Sequence, residues 1–221
     1  MTKKLHAVLF DLDGTLVRTF IDFPAMRHEV QERVRELYHG DDTILQNSDS
    51  LDVIAETVAR LPPDQREEAR NDLYSLLEKH EEVGCKNPEA IPGATTLLHT
   101  LHSQGVGLAV VTRNARRIAT ALCHRMRLPV NVIIAREDTA TYKPHPEPIH
   151  RACDRLRTAP EYAAMVGDLW ADVAAGVAAG CATTIGIQWA HDPPDRFAKA
   201  KPSYIVTTLE EAGKILLPAV R

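Results

Sequence analysis

Two hydrophobic rhythms run along this chain, and the switches between them outline its architecture. A short continuous apolar run, Val8-Leu9-Phe10, reads as a buried strand that ends at Asp11. From residue 17 to residue 90 apolar positions recur at helical spacing instead, and no run there reads as a strand. Met26, Val30, Val34 and Leu37 make one stripe, with Gly40 placed to end its helix. Leu51, Ile54, Val58 and Leu61 make a second, opened by Ser50 as N-cap and stopped by Pro62-Pro63. Residues 64–67 have the form of a capping box ahead of a third stripe through Ala69, Leu73, Leu76 and Leu77. The stretch predicts a small helical bundle inserted after the first strand.

From Ile91 onward short apolar runs alternate with amphipathic segments. Strands are predicted over residues 106–112, 130–135, 162–166, 183–187 and 204–206. A helix opens at Pro92-Gly93, carries Leu97, Leu98 and Leu101 and closes at Gly105; a second begins at Asn114 and carries Ile118, Leu122 and Met126. Ile149, Cys153 and Leu156 mark a third, residues 171–179 a fourth ended by Gly180, and residues 209–216 a fifth behind a capping box from Thr208 to Glu211. This alternation predicts an α/β fold: a doubly wound, mostly parallel sheet in a Rossmann-like three-layer core. The core takes residues 1–16 and 91–221, and the all-α insertion takes residues 17–90. Ligands of such sheets bind at the carboxyl ends of the strands.

Composition narrows the classes. The 221 residues are 44% apolar and 25% charged, the make-up of a soluble globular protein with a sizeable core. A formal charge of -4 provides no basic field for nucleic acid, and no apolar run is long enough to span a membrane. The polar first six residues lead straight into a strand and read as no signal peptide. Cys85, Cys123, Cys153 and Cys181 lack CxxC spacing and read as free thiols of a cytoplasmic protein, ahead of disulfides or zinc ligands.

Four elements at strand ends carry the chemistry. The first is Asp11-Leu12-Asp13-Gly14-Thr15, two carboxylates where a buried strand stops. Their repulsion calls for a bound cation, and the glycine turn offers backbone N–H groups to an anion. The second is Thr112-Arg113-Asn114, a hydroxyl and polar groups ahead of a helix N-terminus, which attracts phosphate. The third is Lys143, a point charge in a stiff, proline-rich loop. The fourth is Gly167-Asp168 with Asp172 four residues on, a second carboxylate pair. Together they point to metal-assisted phosphoryl transfer.

In this order the four elements resemble the motifs of the haloacid dehalogenase-like phosphatase superfamily, over the whole chain. The insertion is similar to the helical cap of its phosphoglycolate phosphatase-like branch. The resemblance implies that Asp11 is the nucleophile, forming an aspartyl-phosphate, and that Asp13 is the general acid and base. It implies Mg2+ held by Asp11, the Asp13 backbone carbonyl and Asp168, with Asp172 in support. It also implies that Thr112 and Lys143 hold the phosphoryl oxygens, Lys143 offsetting charge on the nucleophile. The implied activity is Mg2+-dependent hydrolysis of a small phosphorylated metabolite, by a monomer or homodimer, with the cap closing over the substrate. Large apolar residues, Leu169 and Trp170, stand where such proteins often carry small or polar ones. Trp170 either lines the site or packs on a neighbouring loop.

Other readings stay open at this level. A phosphomutase uses the same four motifs. A receiver-like signalling domain shares the acids, Thr and Lys, though the insertion and Asp13 argue against it. A non-enzymatic phosphate-binding module would normally have lost the nucleophile or the lysine. A dehalogenase is disfavoured by Asp13, and a phosphonate hydrolase by lysines (Lys79, Lys86) that come only late in the insertion. Asp172 and Asn114 read equally as helix caps, and Arg113 as a substrate contact or a solvated side chain. His145 is a minor substrate candidate, while His80, His99 and His102 read as surface or packing residues. Arg18 and Arg27 are candidates for a second anionic group of the substrate, and equally for a solvated helix face.

Overall fold

A computed structural model describes residues 4–38, 42–45 and 49–220. The chain divides into two compact units, Met1–Thr19 with Pro88–Arg221, and Phe20–Asn87.

The first unit is built on a six-stranded sheet. Its strands are β1 (Ala7–Phe10), β4 (Gly107–Val111), β5 (Val132–Ile134), β6 (Ala163–Gly167), β7 (Thr183–Ile187) and β8 (Tyr204–Val206). They run in the order β5-β4-β1-β6-β7-β8, and every pairing is parallel. After β1 the chain builds outward through β4 to β5, then returns to β6 on the other side of β1. The connection therefore reverses between β1 and β6, and a crevice forms at their carboxyl ends. β1, β4 and β6 are buried on both faces apart from Gly107, so they read as unbroken apolar runs rather than as alternating ones.

The helices of this unit are α5 (Ala94–Ser103), α6 (Arg116–Arg125), α7 (Glu147–Leu156), α8 (Trp170–Ala179) and α9 (Leu209–Ala219). Leu9, Ala109 and Met165 of the sheet pack with Ile149, Ala152 and Cys153 of α7 and Ala175 of α8. α5 lies on β4 and on α9. The Thr208 hydroxyl accepts from Glu211 N–H, and the Glu211 carboxylate returns to Thr207 N–H, so the expected box closes one residue further back.

The second unit holds α1 (Phe23–Tyr38), α2 (Asp42–Leu45), α3 (Ser50–Arg60) and α4 (Arg66–Gly84). α1, α3 and α4 pack on one another. Their buried stripes are Met26, Val30 and Val34, then Leu51, Ile54 and Val58, then Ala69, Leu73, Leu76 and Leu77.

Several local expectations are corrected. Leu37 is exposed; the i+4 continuation of its stripe is Tyr38, whose hydroxyl donates to Asp72 at 3.0 Å. Gly40 lies outside the described residues. The N-cap of α3 is Asp49, whose carboxylate accepts from Leu51 N–H, and Ser50 is the first helical residue. No capping box opens α4: it starts at Arg66, whose guanidinium turns back to the Leu61 and Ala59 carbonyls and satisfies the end of α3. The stretch between residues 17 and 90 does hold strands. β2 (Val17–Arg18) and β3 (Glu89–Ala90) form an antiparallel ribbon where the chain leaves and re-enters the α/β unit. At two residues each, they are too short to register as a pattern.

Among the described residues no helix is long and apolar enough to cross a membrane. The four cysteines are free, and burial pushes the Cys123 and Cys181 thiols up to about 12, which makes them poor nucleophiles.

Candidate active site

Parallel pairing places the ends of β1, β4 and β6 side by side, and four charged groups converge there. Asp11 follows β1 and donates its backbone N–H to the Val166 carbonyl of β6. Asp168 follows β6, and Asp172 lies in the first turn of α8. Each offers a carboxylate oxygen, and these atoms lie within 4.8 Å of one another. Lys143 projects between them. Its ammonium donates to Asp11 Oδ1 at 2.6 Å and to the Val111 carbonyl at 2.7 Å, and pairs with Asp172 Oδ1 at 2.6 Å. All four residues are buried.

Close approach explains the two glycines. A Cβ on Gly14, which also has a positive φ of 82°, would fall 2.7 Å from Asp168 Oδ2. A Cβ on Gly167 would overlap the Asp172 side chain. The second Asp172 oxygen accepts the Leu169 N–H at 2.9 Å, so Asp172 caps α8 and also joins the cluster.

The electrostatics follow from this crowding. Burial, reinforced by Asp172 and Asp168, pushes the Asp11 carboxyl well above the usual range against the pull of Lys143. Burial and Asp172 push Asp168 up to about 6, with Arg196 opposing. Burial draws the Lys143 ammonium downward, but Asp11 and Asp172 outweigh it and hold it protonated. Three close carboxylates exceed what one lysine offsets. An all-oxygen, anionic donor set of this kind fits a hard divalent cation.

Asp13 stands apart from this cluster. Its carboxylate accepts the Thr19 hydroxyl at 2.6 Å and the Asn114 side-chain amide. Asn114 was expected to begin a helix, yet α6 starts at Arg116. The Asn114 N–H turns back to the Thr112 hydroxyl at 3.2 Å, its carbonyl takes the Arg136 N–H at 3.0 Å, and its side chain is thereby aimed at Asp13. Thr112 is buried at the end of β4. Arg113 reaches across to the Lys143 carbonyl and ties the second loop to the third.

Other residues have partners of their own. His145 is bound within its own turn, against the Thr141 hydroxyl at 2.7 Å and the Glu147 N–H at 3.2 Å. His80 bonds Glu29 at 2.6 Å on the helical unit. Arg18 pairs with Glu89 across the β2–β3 ribbon, both exposed. Asp22 caps α1 by accepting from Ala25 N–H, while Phe20 and Phe23 are exposed. Lys199 stands over the Trp170 ring, 5.4 Å from its centroid, so the indole packs on the neighbouring segment.

Three further residues join the site, of which Trp189 and Arg196 gave no local signal. Thr15 donates to Asp168 Oδ1 at 3.1 Å, Trp189 donates its indole N–H to the Gly14 carbonyl at 2.9 Å, and Arg196 pairs with Asp168 Oδ2 at 2.8 Å. Trp189 and Arg196 come from the β7–β8 connection, whose composition is that of an ordinary loop; only the adjacency of β6 and β7 brings them here.

A family model described as haloacid dehalogenase-like hydrolase matches residues 8–185. The chain is 28% identical to a phosphoglycolate phosphatase of Salmonella typhi, over 99% of this chain and 93% of the relative. It is 26% identical to the pyrophosphatase PpaX of Anoxybacillus flavithermus, over 96% and 97%. The crystal structure of CbbY from Rhodobacter sphaeroides superposes with a TM-score of 0.64 at 21% identity, covering 95% of this chain and 98% of that one. That likeness speaks for the fold.

Proposed function

The chain belongs to the haloacid dehalogenase-like hydrolase family as a phosphatase, and from that premise we propose a Mg2+-dependent hydrolysis of a small phosphorylated metabolite through an aspartyl-phosphate on Asp11. The observation that carries this reading is the division of labour between the first two acids. Asp11 is buried with the Lys143 ammonium 2.6 Å from one oxygen, the one neighbour that favours its anionic, nucleophilic form against burial and two more carboxylates. Asp13, two residues on, lies outside that group with its carboxylate held by Thr19 and Asn114, and we assign it the proton transfers.

In the first step an Asp11 carboxylate oxygen bonds to phosphorus as the bond from phosphorus to the leaving oxygen breaks. Asp13 gives that oxygen its proton. In the second step water attacks the phosphorus, Asp13 takes the proton back, and the bond to Asp11 breaks to release phosphate. Lys143 offsets charge on Asp11 and, with Thr112, holds phosphoryl oxygens. Arg113 acts by tying the loop of Thr112 to that of Lys143 rather than by gripping substrate. A bound Mg2+, held by Asp11, Asp168, Asp172 and the Asp13 carbonyl, would supply neutralisation of charge on the transferring group. The free thiols, of which Cys85, Cys123 and Cys153 are buried, suit the reducing interior of a cell.

Phosphate release from a panel of phosphorylated metabolites, with and without Mg2+, tests the reading. Turnover is expected only with the cation, and borohydride trapping during turnover is expected to convert Asp11 to homoserine. Cation-independent release, or undiminished release by Asp11→Asn, would refute it.

A further inference from the structure

The β7–β8 connection is fastened to both carboxylate turns. Trp189 donates its indole N–H to the Gly14 carbonyl at 2.9 Å and its backbone N–H to Asp192 Oδ2 at 2.8 Å. Asp192 Oδ1 accepts from Arg196 Nη1 at 2.6 Å. Arg196 then grips Asp168 twice, through Nη2 on Oδ2 at 2.8 Å and through Nε on the backbone carbonyl. Phe197 is buried against Gly186 of β7, where a Cβ would fall 2.7 Å from its ring, and Lys199 stands over Trp170. The segment is thus packed in place.

This arrangement leaves Asp168 with both oxygens engaged, one by the Thr15 hydroxyl and the other by a guanidinium. A guanidinium is always charged, and its planar fork matches the carboxylate and carbonyl it holds. We propose that Arg196 is a positioning residue that acts as a built-in counter-ion of Asp168: it holds this carboxylate in the cluster before a divalent cation arrives, and its charge lowers the affinity of the site for that cation. The cost follows from Coulomb's law, since a cation on Asp168 would sit within a few ångströms of the guanidinium. Even at the dielectric of water, that repulsion weakens binding roughly tenfold.

The inference rests on Asp11, Asp168 and Asp172 being the cation site, and the experiment separates the two claims. Mn2+ binding to the purified protein is measured by electron paramagnetic resonance, without substrate, for the wild type and for Asp168→Asn, Arg196→Gln and Arg196→Lys. Binding that disappears in Asp168→Asn upholds the site; binding that survives there overturns the site and the inference together. With the site upheld, Arg196→Gln is expected to bind Mn2+ roughly tenfold more tightly, and the charge-retaining Arg196→Lys no more tightly than wild type. Unchanged or weaker binding by Arg196→Gln overturns the counter-ion role. Should Arg196→Gln fail to fold, the wild type answers: its Arg196 Nε–H resonance is expected to move in step with Mg2+ occupancy, and a stationary resonance overturns the proposal.

Discussion

The α/β unit and the helical unit bury different things. In the α/β unit Asp11, Thr112, Asn114, Lys143, Asp168 and Asp172 are withdrawn from solvent at the carboxyl ends of adjacent strands. In the helical unit the buried stripes are mainly apolar, with Ser50, Thr57 and Glu81 as buried polar exceptions, and ion pairs such as Lys79 with Glu29 and Arg35 with Glu32 lie on the surface. Exposed pairs of that kind contribute little to stability. Burying a charge without a partner costs several kcal/mol, so a cluster of buried ions marks a place where the fold accepts instability for chemistry. The α/β unit thus advertises its task in its energetics. Among its described residues the helical unit holds no comparable cluster of buried charges; Glu81 is its single buried carboxylate.

The contrast can be broken or sharpened by substitution. Lys143→Ala strikes hardest, because it leaves Asp11 and Asp172 buried without their shared cation. It should abolish turnover and cost about 3–5 kcal/mol in urea titrations of cation-free protein. Added Mg2+ should restore part of that loss by mass action. An unchanged unfolding midpoint would mean that the site is not held together by its charges.

Asp13→Asn should slow phosphate release by about 10²–10⁴-fold while Mn2+ affinity stays near wild type, because the Asp13 carboxylate lies outside the three-carboxylate group. A parallel loss of cation affinity would erase the distinction between the two acids. In the helical unit Leu73→Ala, at a fully buried position, should destabilise by about 2–5 kcal/mol and leave Mn2+ affinity untouched. The smallest effect belongs to Asp49→Ala, which removes the side-chain cap of α3 and should cost about 1 kcal/mol in thermal or urea unfolding. Altered cation binding in either helical-unit variant would break the contrast between the two units.

Apart from the short β2, β3 and α2, the order of strands and helices, the inserted bundle and the strand-end acids were legible in the chain, because each is written locally. Apolar periodicity distinguishes a doubly covered strand from an amphipathic helix, and a carboxylate ending such a strand is conspicuous at once. Boundaries were less legible. Asn114 looks like a helix start in sequence, but Arg136 and Thr112 hold its backbone in a turn that delays α6 to Arg116. Ser50 and Asp49 compete for one cap, and backbone geometry chose Asp49.

By itself, then, the sequence determined which acids, hydroxyls and lysine stand at strand and loop ends and which segments become the main strands and helices, since both follow from residue type and spacing along a few turns of chain. The tertiary structure decided how those residues are shared out. It set Lys143 between Asp11 and Asp172, gave Asp13 to Asn114, turned Arg113 onto a neighbouring loop and brought Arg196 onto Asp168. These pairings join residues as far as 132 positions apart. No local pattern encodes them, because they exist only once parallel strands set distant loops at one edge of the sheet.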